Sequence, residues 1–416
     1  MSTQFPALSQ PQVRVLALWS LGLVLTRSCA LTTVGFFWAT ALAVPPNTVR
    51  QRLREWCYDA PDKRGAQRRA LAVADCFVPL LGWVLSWWRG PHLALALDAS
   101  SLGERFVVLA VLAVSVVYRG CAIPVAWVIL PATTKHAWKH EWLRLVRHLR
   151  PAVPSTMTVI VLADRGLYAR WVFVRLVRLV RLGWHPFLRV NAGGTFRPDG
   201  ARAFRRLTTF APAPDRRWHR RWQGTGTAFQ NRSSRLRCTL LAWRKAGCAE
   251  VWLILTDLHP DRADAGWYGL RAWIEQGFKR TKRGGWQWQR TRMTDPDRAA
   301  RLWLVVAVAT LWLLSVGGDA EAREATAPES TLLEVTALLA QGFPGRRQRP
   351  ATRLRLVSVF RRGLVQIWVA LLNHTPLPMG SFLPEPWPTV PRHAQTTILV
   401  LPSNDLPHAA QQKTYP

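Results

Sequence analysis

The sequence predicts an α/β protein whose α/β domain follows a helical N-terminal region and is interrupted by a β-rich insertion. Three observations predict this class. Apolar residues about 3.6 positions apart dominate residues 10–90, short β-branched runs alternate with helical patterns over 93–190, and turn-rich sequence fills 191–250. With 416 residues, 49% of them hydrophobic, the chain is long enough for several domains with buried cores.

The net charge predicts a polyanionic partner. Fifty-six Lys and Arg residues stand against 24 Asp and Glu residues, which gives a formal charge of +32. An excess of this size is typical of nucleic-acid-binding proteins and, less often, of proteins on anionic membranes. Only seven of the cations are Lys. Arg holds phosphates through paired hydrogen bonds and stacks on bases, although a GC-rich genome produces the same Arg-to-Lys ratio.

A membrane protein is the weakest alternative. The longest uncharged apolar stretch, 302–316, is shorter than the roughly 18–20 residues that a span needs, and we expect a buried helix there. The six cysteines show no CxxC spacing and are expected to be reduced. Because no secretory signal precedes the first domain, we expect a cytoplasmic, nucleoid-associated protein without a membrane partner.

The N-terminal region, 1–90, is predicted to be a helical DNA-binding domain. Two short helical patterns, 32–42 and 48–56, are separated by a turn that contains two Pro residues. The second pattern begins with a Thr48/Gln51 capping box and carries three cations, Arg50, Arg52 and Arg54. A helix-turn-helix over 32–56 fits this pattern, and so does an ordinary helical hairpin.

The next region predicts the order β-β-β-α-β-α-β. Strands are expected at 93–97, 106–118, 122–130, 158–163 and 185–190, with helices at 136–150 and 168–182. Arg119-Gly120 predicts a hairpin between the second and third strands. The order describes an antiparallel meander that becomes parallel, and Asp98 and Asp164 project at one point if the first and fourth strands lie side by side.

The remaining elements complete the domain assignment. Residues 191–250, with twelve Arg and one Lys, predict a β-rich insertion with a basic face. A strand at 251–256 and a long helix from about residue 265 return the chain to the catalytic domain, which we assign to 91–190 and 251–320. C-terminal helices are expected in 321–375, around 331–341 and 352–372, and a disordered Pro-rich tail in 376–416.

Three acids are candidates for catalysis and metal binding. Asp98 ends the first predicted strand, Asp164 follows the strand 158–163, and Glu275 lies on the helix 267–282. The carboxyl ends of neighbouring parallel strands meet at one edge of a sheet. Converging carboxylates need cations, and hard oxygen ligands suit Mg²⁺ or Mn²⁺. A single Asp at a strand end is also a common helix cap or turn former.

The helix that carries Glu275 strengthens the catalytic interpretation. Tyr268, Arg271, Glu275 and Lys282 are spaced so that they share one stripe of an α-helix, and Lys279 adds another cation. A carboxylate between a phenol and cations is typical of a metal ligand with neighbours that hold phosphate. The alternative is a solvated helix with salt bridges.

The spacing Y-(2)-R-(3)-E-(6)-K in Tyr268, Arg271, Glu275 and Lys282 resembles the signature of the DDE transposases of bacterial insertion sequences, in the group with a β-strand insertion. The resemblance covers roughly residues 90–320. It implies an RNase H-like core, two divalent ions held by Asp98, Asp164 and Glu275, and binding to the inverted-repeat ends of an element. It also implies cut-and-paste cleavage followed by transfer of a 3′-hydroxyl to target DNA.

The same resemblance assigns further roles. Tyr268, Arg271 and Lys282 are expected to hold the end phosphates, and Trp252 stands where relatives carry a Trp that stacks on a flipped base; a core Trp is the alternative. Pairing of two DNA ends implies a homodimer. Two other functions stay open: a metal-dependent nuclease of the same core without strand transfer, and an inactive DNA-binding remnant of an element.

Overall fold

The chain divides into two units in a computed structural model that describes residues 1, 3–64, 69–102, 109–134, 138–167, 170–178, 184–214, 220–326, 357–390 and 395–396. The first unit comprises Met1–Arg189 and Trp267–Pro388. The second comprises Val190–Gly266 and Thr389–Pro416. The predicted α/β class is confirmed. The strand 251–256, which the sequence grouped with the catalytic domain, lies in the second unit.

One sheet forms the centre of the first unit. Its strands are β1 (His92–Leu102), β2 (Leu109–Tyr118), β3 (Cys121–Pro131), β4 (Thr158–Ala163) and β5 (Trp184–Arg189), in the spatial order β3-β2-β1-β4-β5. The three strands β1–β3 form an antiparallel meander, and β4 and β5 continue the sheet in parallel. The first and fourth strands are therefore neighbours, which meets the condition under which Asp98 and Asp164 project at one point.

The strands have the composition of a sheet that is covered on both faces. Every residue of β2 is buried, and its sequence LAVLAVSVVY is apolar except for one Ser. Such continuous β-branched runs are typical of strands with helices on both sides. The predicted hairpin between β2 and β3 is present, with positive φ at Arg119 (44°) and at Gly120 (75°).

Helices surround this sheet. In chain order they are α1 (Gln10–Thr26), α2 (Leu31–Ala41), α3 (Pro46–Trp56), α4 (Phe77–Ser86), α5 (Trp138–Leu149), α6 (Arg170–Arg178), α7 (Ala272–Lys279), α8 (Pro296–Thr326) and α9 (Val359–Leu372). The helices α4, α5, α7 and α8 all pack against β3, and α1 and α9 pack against α8. The predicted helix 331–341 and residues 351–356 lie outside the described residues.

The long helix α8 contains the apolar stretch 302–316. By length and composition it qualifies as a possible membrane span, but 89% of its most apolar window is buried inside the protein. The predicted buried helix is thus confirmed. It continues through Gly317-Gly318, and these glycines allow close packing: a Cβ at Gly317 would collide with the carbonyl oxygen of Val359 in α9.

The N-terminal helices dock onto α8 within the first unit. The indole Nε1 of Trp56 in α3 donates to the carbonyl oxygen of Arg301 (2.9 Å), and Arg301 Nη1 donates to the carbonyl oxygen of Cys57 (2.6 Å). The predicted Thr48/Gln51 capping box is wrong. The helix begins at Pro46, so Thr48 lies in its first turn, and Gln51 bonds to Glu55 instead.

The first part of the Pro-rich tail is ordered, against the prediction of disorder for 376–416. Phe382 is fully buried, and its backbone N–H and C=O bond to Trp87 and Arg89. Trp387 packs edge-on against Trp267. Residues 391–394 and 397–416 lie outside the described residues.

The second unit contains the remaining strands. Its strands are β6 (Thr195–Pro198), β7 (Arg205–Arg206), β8 (Arg220–Ala228), β9 (Leu236–Arg244), β10 (Val251–Thr256) and β11 (Gln395–Thr396). The order β10-β9-β8-β6-β7 is antiparallel throughout, and β11 pairs with β8 in parallel. Phe196, Phe210 and Trp222 pack together in its core.

Candidate active site

Two of the predicted acids lie at the same end of neighbouring parallel strands. The pairing of β1 with β4 runs from His92 opposite Thr158 to Leu97 opposite Ala163. Asp98 follows Leu97 within β1, and Asp164 follows Ala163 directly after β4. The sequence placed Asp98 at the end of its strand, but β1 continues to Leu102 in its pairing with β2. Asp98 therefore marks the end of the parallel pairing, while its backbone stays fixed in the antiparallel one.

The third acid approaches on the segment around α7. The predicted continuous helix is in fact three segments: a 3-10 helix over Ala265–Arg271, the α-helix Ala272–Lys279 with Glu275, and a π-helical turn over Arg280–Gly284. Gly277 of α7 packs closely on β3, since a Cβ there would lie 3.0 Å from the Cβ of Ala122. This contact fixes the height of α7 above the sheet.

The guanidinium of Arg271 joins the three acids. Its Nη2 lies 3.0 Å from Asp98 Oδ2 and 3.6 Å from Asp164 Oδ2, and its Nη1 donates to Glu275 Oε1 at 2.5 Å. The Arg271 side chain is 13% exposed, against 49% for Glu275. Acids from three distant parts of the chain thus converge on one buried cation.

The environment separates the two Asp residues in acidity. Burial raises the pKa of Asp98, and the charges of Glu275 and Asp164 raise it further, against the opposing effect of Arg271. Burial also acts to raise the pKa of Asp164, but the backbone N–H of Arg165 and the charge of Arg271 outweigh it, so this pKa is lowered. The Arg165 N–H donates to Asp164 Oδ1 at 2.7 Å. Of these two residues, Asp98 is therefore the one whose ionisation costs more.

Tyr268 orients Asp164. Its hydroxyl donates to Asp164 Oδ1 at 3.3 Å, and the residue is only 4% exposed. Burial, with the nearby carboxylate, raises the pKa of this phenol, so it stays protonated as a donor. The first two members of the predicted stripe, Tyr268 and Arg271, thus both contact the acids.

Lys282 and Lys279 take different positions. Lys282 Nζ donates to Ser100 Oγ of β1 at 2.8 Å, and burial lowers its pKa. Lys279, at the end of α7, is exposed. Lys282 consequently reaches the strand that carries Asp98, although it lies in the π-helical turn and not in α7.

Two site residues were missed from the sequence. Arg189 ends β5, is only 8% exposed, and its charge helps to lower the pKa of Asp164. A signal for it existed, because it ends a predicted strand next to the one that Asp164 follows. Ser100 is the second, and its position two residues after Asp98 places it on the same face of β1.

The three carboxylates have the chemistry of a metal site. Hard oxygen donors are what Mg²⁺ and Mn²⁺ prefer. Within the described ranges, no three His, Cys, Asp or Glu side chains are grouped closely enough to hold an ion. In this arrangement each carboxylate pairs with Arg271. The donor set fits a divalent ion, and the guanidinium supplies the compensating positive charge.

The predicted DNA-binding residues of α3 lie on the surface. Arg50, Arg52 and Arg54 are exposed, and the α2–α3 turn contains Ala43 at a positive φ of 52°. The guanidinium of Arg54 lies 5.5 Å from the ring centre of Tyr58. All three cations are accessible to a partner.

Trp252 belongs to the second unit. It lies on β10, is partly exposed, and makes an edge contact with Trp243 at 4.7 Å between ring centres. It is thus neither a fully buried core residue nor an isolated surface ring.

Comparison with known proteins agrees with this geometry. The family model described as the transposase DDE domain matches residues 120–312, a little less than half of the chain. The matched range contains Asp164, Tyr268, Arg271, Glu275 and Lys282 and begins after Asp98. A search of curated proteins finds no match. The resemblance predicted from the sequence is confirmed: residues 120–312 match the transposase DDE domain, and this match supports a DDE transposase of an insertion sequence, an enzyme that cleaves and transfers DNA with the help of divalent metal ions.

Proposed function

We propose that this transposase binds the inverted-repeat ends of its element, cleaves the DNA with two divalent ions, and joins the 3′-hydroxyl ends to target DNA. The convergence of Asp98, Asp164 and Glu275 on one guanidinium carries the proposal. Bringing three carboxylates together is costly without cations. Such a convergence fits a catalytic site in which divalent ions would supply the compensating charge that Arg271 supplies here.

An RNase H-like core is part of this proposal. The order β3-β2-β1-β4-β5, with an antiparallel meander followed by parallel strands, supports it. In such a sheet the acids after β4 and within β1 lie at one edge, and α7 brings the third acid to them.

The proposed ligands of the Mg²⁺ or Mn²⁺ ions are Asp98, Asp164 and Glu275. These side chains would hold the ions, which would supply activation of the attacking oxygen and stabilisation of the leaving oxygen of a phosphodiester. The chain itself orients the acids: the Arg165 N–H and the Tyr268 hydroxyl both donate to Asp164 Oδ1. Once the carboxylates are neutralised, Arg271 is free to pair with a DNA phosphate.

The DNA contacts are assigned to three surfaces. Tyr268, Arg271, Lys282 and Lys279 are proposed to hold the cleaved end near the acids. Arg50, Arg52 and Arg54 of α3 are proposed to bind the inverted repeat as part of a helix-turn-helix. Trp252 is proposed to stack on an unpaired base, which its partial exposure allows.

The cellular setting follows from the same activity. Two ends must be paired before joining, so we infer a homodimer around two DNA duplexes. The protein is proposed to act in the cytoplasm, associated with the nucleoid.

Purified protein and a duplex carrying the terminal inverted repeat test the proposal. We expect nicking at the repeat boundary that requires Mg²⁺ or Mn²⁺ and is lost in Asp98→Asn, Asp164→Asn and Glu275→Gln. Asp297→Asn, an exposed acid at the start of α8, is the matched control and should stay active. Full nicking by any of the three acid variants would refute the assignment. Joining of a pre-cut end to a plasmid separates a transposase from a nuclease without strand transfer.

A further inference from the structure

Lys282 is a half-buried cation that pairs with no carboxylate among the residues that the structure describes. Its Nζ donates to Ser100 Oγ at 2.8 Å. Burial alone lowers its pKa, and in the part of the chain that the structure describes no acid opposes that shift. Arg271, only eleven residues earlier, is by contrast surrounded by three acids. A charge held out of water without a counter-ion is costly unless an anion completes its surroundings.

The backbone on both sides of this contact is fixed. Ser100 pairs with Val111 in the antiparallel β1–β2 ladder. The π-helical turn Arg280–Gly284 is closed by the Trp286 N–H, which donates to the carbonyl oxygen of Arg280 at 2.8 Å. A single π turn within a helix is frequent at functional sites. The Ser100–Lys282 bond therefore joins two rigid elements, one carrying Asp98 and the other following Glu275.

The hydroxyl of Ser100 can donate a hydrogen bond as well as accept one. Ser100 Oγ accepts the bond from Lys282, so its own O–H is left to donate elsewhere. Because Ser100 is two residues after Asp98, both side chains leave the same face of β1. The hydroxyl and the ammonium therefore stand together on the face that carries the catalytic acid.

We infer that Ser100 is a positioning residue that holds Lys282 and forms with it a two-donor clamp for one phosphate of the DNA end. This inference rests on the proposed function, because the phosphate belongs to the DNA that the acids cleave. It adds a neutral residue from β1 to the cationic residues of the signature. It also predicts that the contribution of Ser100 to DNA binding depends on Lys282.

A double-mutant cycle tests this dependence. The probe is a duplex that carries the terminal inverted repeat, and its dissociation constant is measured in EDTA for the wild type, Ser100→Ala, Lys282→Met and the double variant. We expect Ser100→Ala to weaken binding about tenfold, which corresponds to about 1.4 kcal/mol. In the Lys282→Met background, the same change should cost less than about twofold, because the clamp is already lost.

Two further variants separate positioning from folding. Ser100→Thr keeps the hydroxyl and should bind within about twofold of the wild type. Ser101→Ala changes the exposed neighbour on the other face of β1 and is the matched control. Lys282→Met should also reduce the slope of affinity against salt by about one. A general loss of structure would not reproduce rescue by Thr together with a normal Ser101→Ala.

The outcomes distinguish the inference from the function on which it rests. If the wild type does not prefer the inverted repeat over unrelated DNA, the proposed function and the inference about Ser100 are both refuted. If the wild type and Lys282→Met behave as expected but Ser100→Ala binds normally, the inference alone is wrong. An equal cost of Ser100→Ala with and without Lys282 would also overturn it, because the two residues would then act independently.

Discussion

Replacing Arg271 by Gln removes the cation that three carboxylates share. The guanidinium lies 3.0 Å from Asp98 and 3.6 Å from Asp164, and these two acids are 18% and 34% exposed. Removing one partner of a buried pair costs about 3–5 kcal/mol. Glu275 is half exposed, so its pair contributes less than about 1 kcal/mol. Because both Asp residues keep some solvent contact, we expect a loss near the lower limit, about 3 kcal/mol.

Hydrogen exchange in EDTA measures this loss where it occurs. The amides of β1 and β4 should exchange faster in Arg271→Gln than in the wild type. The exchange of the amides in the second unit is measured separately. Divalent ions should then restore protection, since a ligand at 100 times its dissociation constant stabilises by about 2.7 kcal/mol. The wild type should gain less, because an ion must displace its guanidinium from the carboxylates.

The exposed Arg283, in the π-helical turn, supplies the matched control. Arg283→Gln removes the same charge but should leave the exchange of β1 and β4 unchanged. Wild-type exchange rates for Arg271→Gln in EDTA would refute the argument. So would an equal gain from Mn²⁺ in the wild type and in Arg271→Gln.

Three other predictions concern pH, packing and stacking. The raised pKa of Asp98 means that the folded protein holds this proton more tightly than the unfolded chain, so ionisation of Asp98 lowers stability as pH rises above its ordinary value near 3.8. Because metal ligands must be deprotonated, nicking should rise through that raised pKa, and Arg271→Gln should move the acid limb of the pH–rate profile to higher pH. Gly317→Ala should destabilise the protein by about 3 kcal/mol in urea denaturation through its collision with α9. Gly82→Ala, in open space on α4, should stabilise it by up to about 1 kcal/mol, and equal effects of the two would contradict the packing argument. Trp252→Ala should weaken binding to DNA ends with an unpaired base by about 1–3 kcal/mol, while Trp252→Phe should keep most of it; unchanged affinity in both would exclude stacking.

The sequence was sufficient for the positions of the acids along the sheet. β-branched runs and a hairpin at Arg119-Gly120 predicted an antiparallel meander that becomes parallel, and the pairing of β1 with β4 then brings Asp98 beside Asp164. Spacing also predicted that Tyr268 and Arg271 accompany Glu275. These features are local or follow from general rules of sheet topology, which explains why they were predictable.

Other features depend on contacts between distant residues. The pairing of Arg271 with all three acids requires the relative height of α7 and β1, which no spacing contains. The close approach of α9 to Gly317 is likewise invisible in the local sequence. The division of the region 265–284 into three helical forms was missed for the same reason, since each form has similar local composition.

The insertion of the second unit between Arg189 and Trp267 has a consequence for the newly made chain. Asp98 and Asp164 belong to strands made before that unit, and Glu275 follows it. At a synthesis rate of about 5–20 residues per second, the ribosome needs roughly 4–17 s to travel from β5 to Glu275. During this interval the nascent protein can form its sheet but has no complete set of acids. The chain therefore completes its proposed set of catalytic acids, and with it the means to cut DNA, only after most of its first unit and all of β6–β10 have been synthesised.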